Sequence, residues 1–345
     1  MRPLFFLFCL LCFVSIQAQS YSGYVFDEIT KDTIIGASVY FDGTSIGTTT
    51  DENGFFQIES KEKINTPLLV SYVGYTTFKV DDSALGGITH IYLKEDQLNL
   101  NEVVVFDDTW SRERKMKHFK KEFLGQGKGG RKSRIKNEYA IKLRFNRSDS
   151  TLVAFSNEPI LVENQYLGYL VSFRIKEFRI QFKFDYKAAE GLRASQVYLN
   201  GNSFFTELPN ITPKKNRARK RSYLNSLPRI MRSIRNGTTH ELGYTFYGKT
   251  GLVPPGRFII KEEVAGKTLY SFKELQFYIR DIFGDNSLVT VKDRSARFEI
   301  DAYGNHSPWD KIVFADKFGL RRVGDMLPLD YYPFGSISGK DDYLP

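Results

Sequence analysis

The sequence predicts a mainly β protein: a small sandwich followed by a larger, mostly antiparallel β domain with a few short helices. Three observations carry that prediction. Between Ser22 and Phe106, short runs alternate apolar with polar residues, and glycine or acidic turns break them. Two later stretches, 139–145 and 173–184, alternate in the same way. Helical spacing of apolar residues is confined to two segments, 110–124 and 213–237.

Residues 1–18 read as a secretory signal. Arg2 gives a positive start, residues 4–14 form an unbroken apolar run, and Ala18 offers a small residue at the cut. The run is shorter than the roughly 20 apolar residues that a membrane helix needs. Cys9 and Cys12 both lie within it. The mature chain therefore has no disulfide, no thiolate nucleophile and no cysteine-ligated metal. Leu11 stands before Cys12, where a lipoprotein signal wants a small residue. Cleavage leaves about 327 residues, enough for two ordinary domains. No later run is apolar and long enough for a membrane helix, so no transmembrane segment is expected after cleavage.

The first module spans 19–106. Asp42-Gly43 is a tight-turn pair between the alternating runs 37–41 and 45–50. Asp51-Glu52-Asn53-Gly54 is a second turn; Gly54 suits positive φ, and Asp51 can accept from the backbone two residues on. Phe55 and Ile58 resume the pattern, and 68–73 is dense enough for a central strand. Gly74 suggests a bulge or close backbone approach. Residues 88–93 alternate again, with Ile91 and Leu93 inward. The acidic turn at Asp51 is only a fragment of a calcium loop, which wants five or more oxygen ligands.

Three motifs together carry a family resemblance. They are Gly36-Ala37-Ser38-Val39, Gly47-Thr48-Thr49-Thr50-Asp51 with Gly54-Phe55, and Ser71-Tyr72-Val73-Gly74-Tyr75. The module resembles the carboxypeptidase-like regulatory domain found in Gram-negative bacteria. That resemblance implies a transthyretin-like or immunoglobulin-like sandwich of about seven strands. It implies an accessory to a catalytic or transport domain, with no catalysis of its own. The same module stands at the front of many TonB-dependent outer-membrane receptors. There the tract corresponding to Leu100-Asn101-Glu102-Val103-Val104-Val105 leads into the plug.

The second domain spans 107–345. Asp107-Asp108-Thr109 reads as a helix start with a threonine cap. Met116, Phe119 and Phe123 recur at helical spacing among basic residues, which predicts a helix docked on its own domain or lying on a membrane surface. Residues 125–130 hold four glycines and read as a flexible loop. In 173–184 the apolar set slips by one between Ile175 and Phe178, which predicts a bulge. The stretch 170–184 is long for one strand and reads as a hairpin or a curved strand. Pro228 splits the second helical segment, and Gly237 ends it. Strands are expected at 257–263, 268–272, 287–291, 297–300 and 311–314. The proline-bounded aromatic tail 325–333 reads as an extended strap. Trp110, Glu122-Phe123-Leu124-Gly125, Glu163-Asn164, Leu167-Gly168-Tyr169 and this tail resemble a second domain often fused to the same module, one with no assigned activity.

Charge divides the chain. Residues 19–106 hold 5 Lys and Arg against 13 Asp and Glu, whereas 107–345 hold 43 against 27. The basic part is expected to face the acidic module or an anionic envelope component, such as a lipid head group or glycan; nucleic acid is not expected. An envelope protein is a further candidate partner, as is association with a membrane surface. Lys214, Lys215, Arg217, Arg219, Lys220 and Arg221 form the candidate anion-binding patch.

Catalytic signatures are missing. His90, His118, His240 and His306 are the four histidines, and none is followed by glutamate three residues on, as a zinc carboxypeptidase requires. His118 and Glu122 could share a helix face but lack a third ligand. Neither a nucleophile elbow nor a phosphate loop is present. No catalytic residue, metal or cofactor is assigned. The expected function is a non-catalytic, exported envelope protein that binds or scaffolds, in the periplasm or at the outer membrane. The alternative is a hydrolase of an envelope polymer, with Asp281, Asp285, Asp293 and Glu299 as candidate carboxylates. A barrel made by the second domain is disfavoured by the absence of ten-residue lipid-facing strands with aromatic girdles.

Overall fold

The computed structural model describes residues 19–60, 64–80, 88–96, 108–187, 191–248 and 251–333. The signal segment, the tract at Leu100 to Val105 and the last twelve residues lie outside them.

The first module is a sandwich. Its strands are β1 (Gln19–Asp27), β2 (Ser38–Phe41), β3 (Gly47–Thr49), β4 (Phe55–Ser60), β5 (Leu68–Ser71), β6 (Phe78–Lys79) and β7 (Ile88–Leu93). One sheet runs β4-β1-β7 and the other β3-β2-β5-β6. Val25, Val39, Phe41, Phe56, Val70 and Leu93 pack between them. The alternation that predicted the strands is the alternation that buries this set. All pairs are antiparallel except β1 with β7. The central strand β5 ends at Ser71. Gly74 belongs to the turn after it, with φ of 86° and open space where a Cβ would stand, so neither a bulge nor close packing explains it. The carboxylate of Asp51 accepts from the N–H groups of Asn53 and Phe55, which makes this segment a structural turn.

Next come α1 (Arg112–Leu124), α2 (Lys128–Arg131), β8 (Ser133–Ile135), β9 (Lys142–Asn146), β10 (Thr151–Phe155), β11 (Ile160–Asn164), β12 (Tyr169–Phe184) and β13 (Leu192–Glu207). The sheet order is β8-β11-β12-β10-β9, with β13 along the other edge of β12. β12 is one strand of 16 residues, with the expected irregularity between Ile175 and Glu177. Helix α1 lies on this sheet. Phe119 meets Phe178 at 4.9 Å and Phe123 meets Phe173 at 5.4 Å, both edge-on. Its apolar face is thus covered by its own domain, not presented to a membrane. The cap is Ser111 rather than Thr109; Asp108 instead pairs with Lys115 at 2.6 Å. The 139–145 run is a strand only from Lys142, because residues 138–140 form a 3-10 turn.

A further body follows. Helices α3 (Pro213–Leu224) and α4 (Leu227–Asn236) are separated at the Ser226 cap, with Pro228 in the first turn of α4 and Gly237 in the left-handed cap. A five-stranded sheet and the hairpin of Ile259–Val264 with Lys267–Phe272 enclose their own core, around Phe246, Phe258, Phe277 and Phe298. The expected strand at 297–300 shrinks to Glu299–Ile300, and the one at 257 starts only after a helical turn at Pro255–Phe258. The strands Thr245–Gly248 and Gln276–Arg280 were not foreseen.

The expected strap, 325–333, is extended from Met326 onward and is preceded by a 3-10 turn at Val323–Asp325; together residues 321–333 run across the bodies. Val323 belongs to the core beneath α1, and Leu329 packs on the sandwich core. The glycine-rich segment is not a flexible loop. It forms α2, and Gly129 and Gly130 are buried against Gly324 of the strap. A Cβ on Gly324 would stand 2.5 Å from the Cα of Gly130, so two backbones meet where no side chain fits. The sandwich docks through the Asp42-Gly43 turn. Gly43 N–H donates to the Ser203 carbonyl (2.7 Å), Leu329 N–H donates to the Gly43 carbonyl (2.8 Å), and Thr44 bridges in parallel to Phe204. Asp42 accepts from Ser203 N–H (2.8 Å) and from the Asn202 side-chain amide.

Two outcomes follow from this packing. Gly324→Ala should cost about 1–3 kcal/mol of stability, because backbone must move to admit the methyl; urea denaturation measures it. Burial raises the Asp42 carboxyl above its ordinary value. Its contribution is therefore full below the unfolded carboxylate pKa of about 3.9, and is lost as pH rises through the higher folded value. Asp42→Asn should remove that part of the pH dependence in thermal melts while keeping the dock.

Candidate functional site

An apolar concavity lies where β13 faces the last body. Val197 to Gly201 of β13 form one side. Leu227 and Pro228 of α4, the turn at Gly304 to His306, and residues 313–319 form the other, and the strap from Met326 to Leu329 closes one end. Its volume is about 570 Å³. A more polar groove of about 760 Å³ adjoins it and shares Val197, Tyr198, Val313, Phe314, Gly319 and Arg322. Among the described residues, no aspartate or glutamate lines the apolar part.

Buried arginines hold this region together. Arg321 donates to the carbonyls of Ser222 (3.2 Å), Asn225 (2.8 Å) and Asp325, and to the Ser222 hydroxyl (2.6 Å). Arg232 donates to the carbonyls of Leu329 and Tyr331 and to the Tyr223 hydroxyl. Asn164, fully buried, donates to the Gly324 carbonyl at 2.9 Å. Burial lowers the guanidinium pKa of Arg321 and Arg322 and raises the Asp325 carboxyl between them. The sequence offered no signal for this role, because an arginine facing inward on α4 looks like any other charge on a helix.

The six-residue basic patch is divided. Lys214, Arg217 and Arg221 are exposed on one face of α3. Lys215 and Lys220 are half-buried, and Lys215 donates to the Asn210 carbonyl. Arg219 turns inward, donates to the carbonyls of Leu167 and Gly168, pairs with Glu207 and covers the Tyr169 ring at 4.0 Å. The four candidate carboxylates do not converge. Asp281 accepts from Phe283 and Asp285 N–H in a turn, Asp285 pairs with Lys317 at 2.5 Å, Asp293 accepts from Ser295, and Glu299 pairs with Lys267 at 2.8 Å. His118 packs against Trp110 and Phe182, each with ring centres 5.0 Å away, which makes it part of an aromatic cluster.

Comparison with known proteins bears on the sandwich. Residues 21–105 match the model of the CarboxypepD_reg-like domain. The first module is a CarboxypepD_reg-like domain. Within the same region the chain is 36% identical over 78 residues to the TonB-dependent receptor SusC of Bacteroides thetaiotaomicron. That match covers 23% of this chain and 7% of the receptor. No solved structure matches. Among the described residues, the CarboxypepD_reg-like domain adds no side chain to the cleft lining; what it supplies is the Asp42-Gly43 turn that seats the strap at the cleft's end.

Arg232→Met would leave the Leu329 and Tyr331 carbonyls without their donor. It should cost about 2–5 kcal/mol, from two unsatisfied buried acceptors. Chemical denaturation gives the loss, and faster proteolytic cutting near residue 329 would show that the strap has loosened.

Proposed function

We propose that this protein is an exported, non-catalytic component of the cell envelope that holds a partner in the cleft between β13 and the last body. One observation carries the reading: the apolar cleft beside β13 has the make-up of a binding site and, among the described residues, is lined by no acid pair. The carboxyls that burial raises, Asp42, Asp301 and Asp325, sit at junctions rather than in that cleft. Asp301 accepts from the N–H groups of Asn305 (2.8 Å) and Asn65 (3.1 Å). They serve packing, which speaks against the hydrolase alternative.

The leader-like first residues and the likeness to a segment of a TonB-dependent receptor support an envelope location, at the outer membrane or in the periplasm. Lys214, Arg217 and Arg221 supply an exposed cationic face on α3 that suits lipid head groups or an acidic glycan.

The mature chain should bind an apolar fluorescent dye such as 1-anilinonaphthalene-8-sulfonate with a single class of sites. Val313→Glu, on an exposed strand at the cleft wall, should weaken binding at least tenfold with no change in the thermal melt. Unchanged dye affinity in that variant would remove the cleft from the reading. In cell fractionation a tagged full chain should appear with the envelope; a cytoplasmic location would overturn the proposal.

A further inference from the structure

We propose that the cleft takes an extended polypeptide strand, which pairs with the open edge of β13 at Val197 to Gly201. This rests on the reading of the cleft as a ligand site and adds the chemistry of its occupant.

β13 pairs with β12 along its whole length, and among the described residues its second edge meets only the sandwich turn, at Ser203 to Phe205. Successive residues of a strand point to opposite faces. Five consecutive residues, Val197 to Gly201, nevertheless line one cavity. That is the arrangement of a strand presenting its edge, not a face. Among the described residues, no backbone hydrogen bond leaves that edge between 197 and 201.

The same edge already pairs with an added backbone segment, the sandwich turn, a few residues further on. Gly43 N–H donates to the Ser203 carbonyl, and Phe205 N–H donates to the Thr44 carbonyl at 3.0 Å, with Thr44 and Phe204 paired in parallel. The open stretch is continuous with this interface. At roughly 3.3 Å per residue it offers about 16 Å of ladder. Addition of a strand to an exposed edge is an established mode of peptide recognition, in which main-chain bonds give affinity and pockets for alternate side chains give selectivity.

The walls define the peptide. Phe314, Phe318, Met326 and Leu327 face the edge and call for apolar residues at alternate positions. Arg321 is saturated by carbonyls and offers no site for an acid. At the open end, Arg179 pairs with Glu177 at 3.3 Å and Arg322 donates to the Gly319 and Arg321 carbonyls, while Asp149 and Asp316 line the same groove. The fitting segment is therefore uncharged, with apolar and small polar residues in alternation.

The test is titration calorimetry of the full mature chain with three probes: a blocked octapeptide of alternating valine and threonine, the same peptide N-methylated at alternate residues, and palmitate. Amide hydrogen exchange is followed at 197–201. Strand addition predicts micromolar binding of the first peptide, at least tenfold loss on N-methylation, and at least tenfold slower exchange of the outward amides. Equal binding of the methylated peptide, or binding without protection at 197–201, would overturn the proposal. Palmitate binding alone would replace it with a lipid occupant and leave the cleft reading standing. Failure of all three probes, together with failure of dye binding, would sink both.

Discussion

A chain without regular structure that runs through a protein interior carries carbonyl groups that no helix or sheet satisfies, and each costs free energy unless a donor reaches it. Apart from the short 3-10 turn Val323–Asp325, residues 321–333 are such a chain, and they pack on the core beneath α1 and on the sandwich core. The donors are side chains. Arg232 reaches the carbonyls of Leu329 and Tyr331, Arg321 and Ser222 reach that of Asp325, and Asn164 reaches that of Gly324. Arginine suits this task because one planar group offers five N–H bonds and can hold several carbonyls at fixed angles. The Gly129, Gly130 and Gly324 contact serves the same end, since it lets the strap approach closely enough to be held.

This changes how the charge of the chain is understood. The excess of cations after residue 107 suggested an anionic partner, yet part of it is internal. Arg229, Arg232 and Arg219 are at most 4% exposed. Among the described residues Arg229 pairs with no carboxylate; it donates to the Tyr244 hydroxyl at 3.2 Å, with its cation above that ring. Of the six patch residues, Lys214, Arg217 and Arg221, at steps of three and four, are the ones that the turns of α3 carry outward to face an outside anion. Helical rotation, which composition cannot show, decides which arginine builds the protein and which meets solvent.

Legibility followed the length scale of the interaction. The sandwich strands were readable because alternation and burial are the same fact at a spacing of two residues. The slip at Ile175 showed the bulge, and Pro228 with Gly237 showed the split helix, since each acts within a few residues. The strap was visible as a proline-bounded aromatic tail, but not what it touches. Residues 125–130 were misread because glycine signals backbone freedom and close approach equally, and only the partner at Gly324, about 200 residues away, separates them. The cleft was invisible for the same reason, because its walls come from β13, α4, residues 304–319 and the strap.

The open edge of β13 is a consequence of that long-range assembly. β12 is 16 residues long, and β11 and β10 together cover one side of it. β13 covers the other and so becomes the margin of the sheet. The sandwich turn caps this margin near residues 203–205, and among the described residues no strand covers it further back. An exposed edge ordinarily invites aggregation, and proteins blunt it with charges, prolines or bulges. Val197 to Gly201 carry none of these charges or prolines. Their protection is the opposing wall: the edge lines a cleft whose other side is formed by Val313, Phe314, Phe318 and Gly319. A margin kept unpaired and shielded in that way differs from an incidental gap in packing, because the shielding selects what may pair with it.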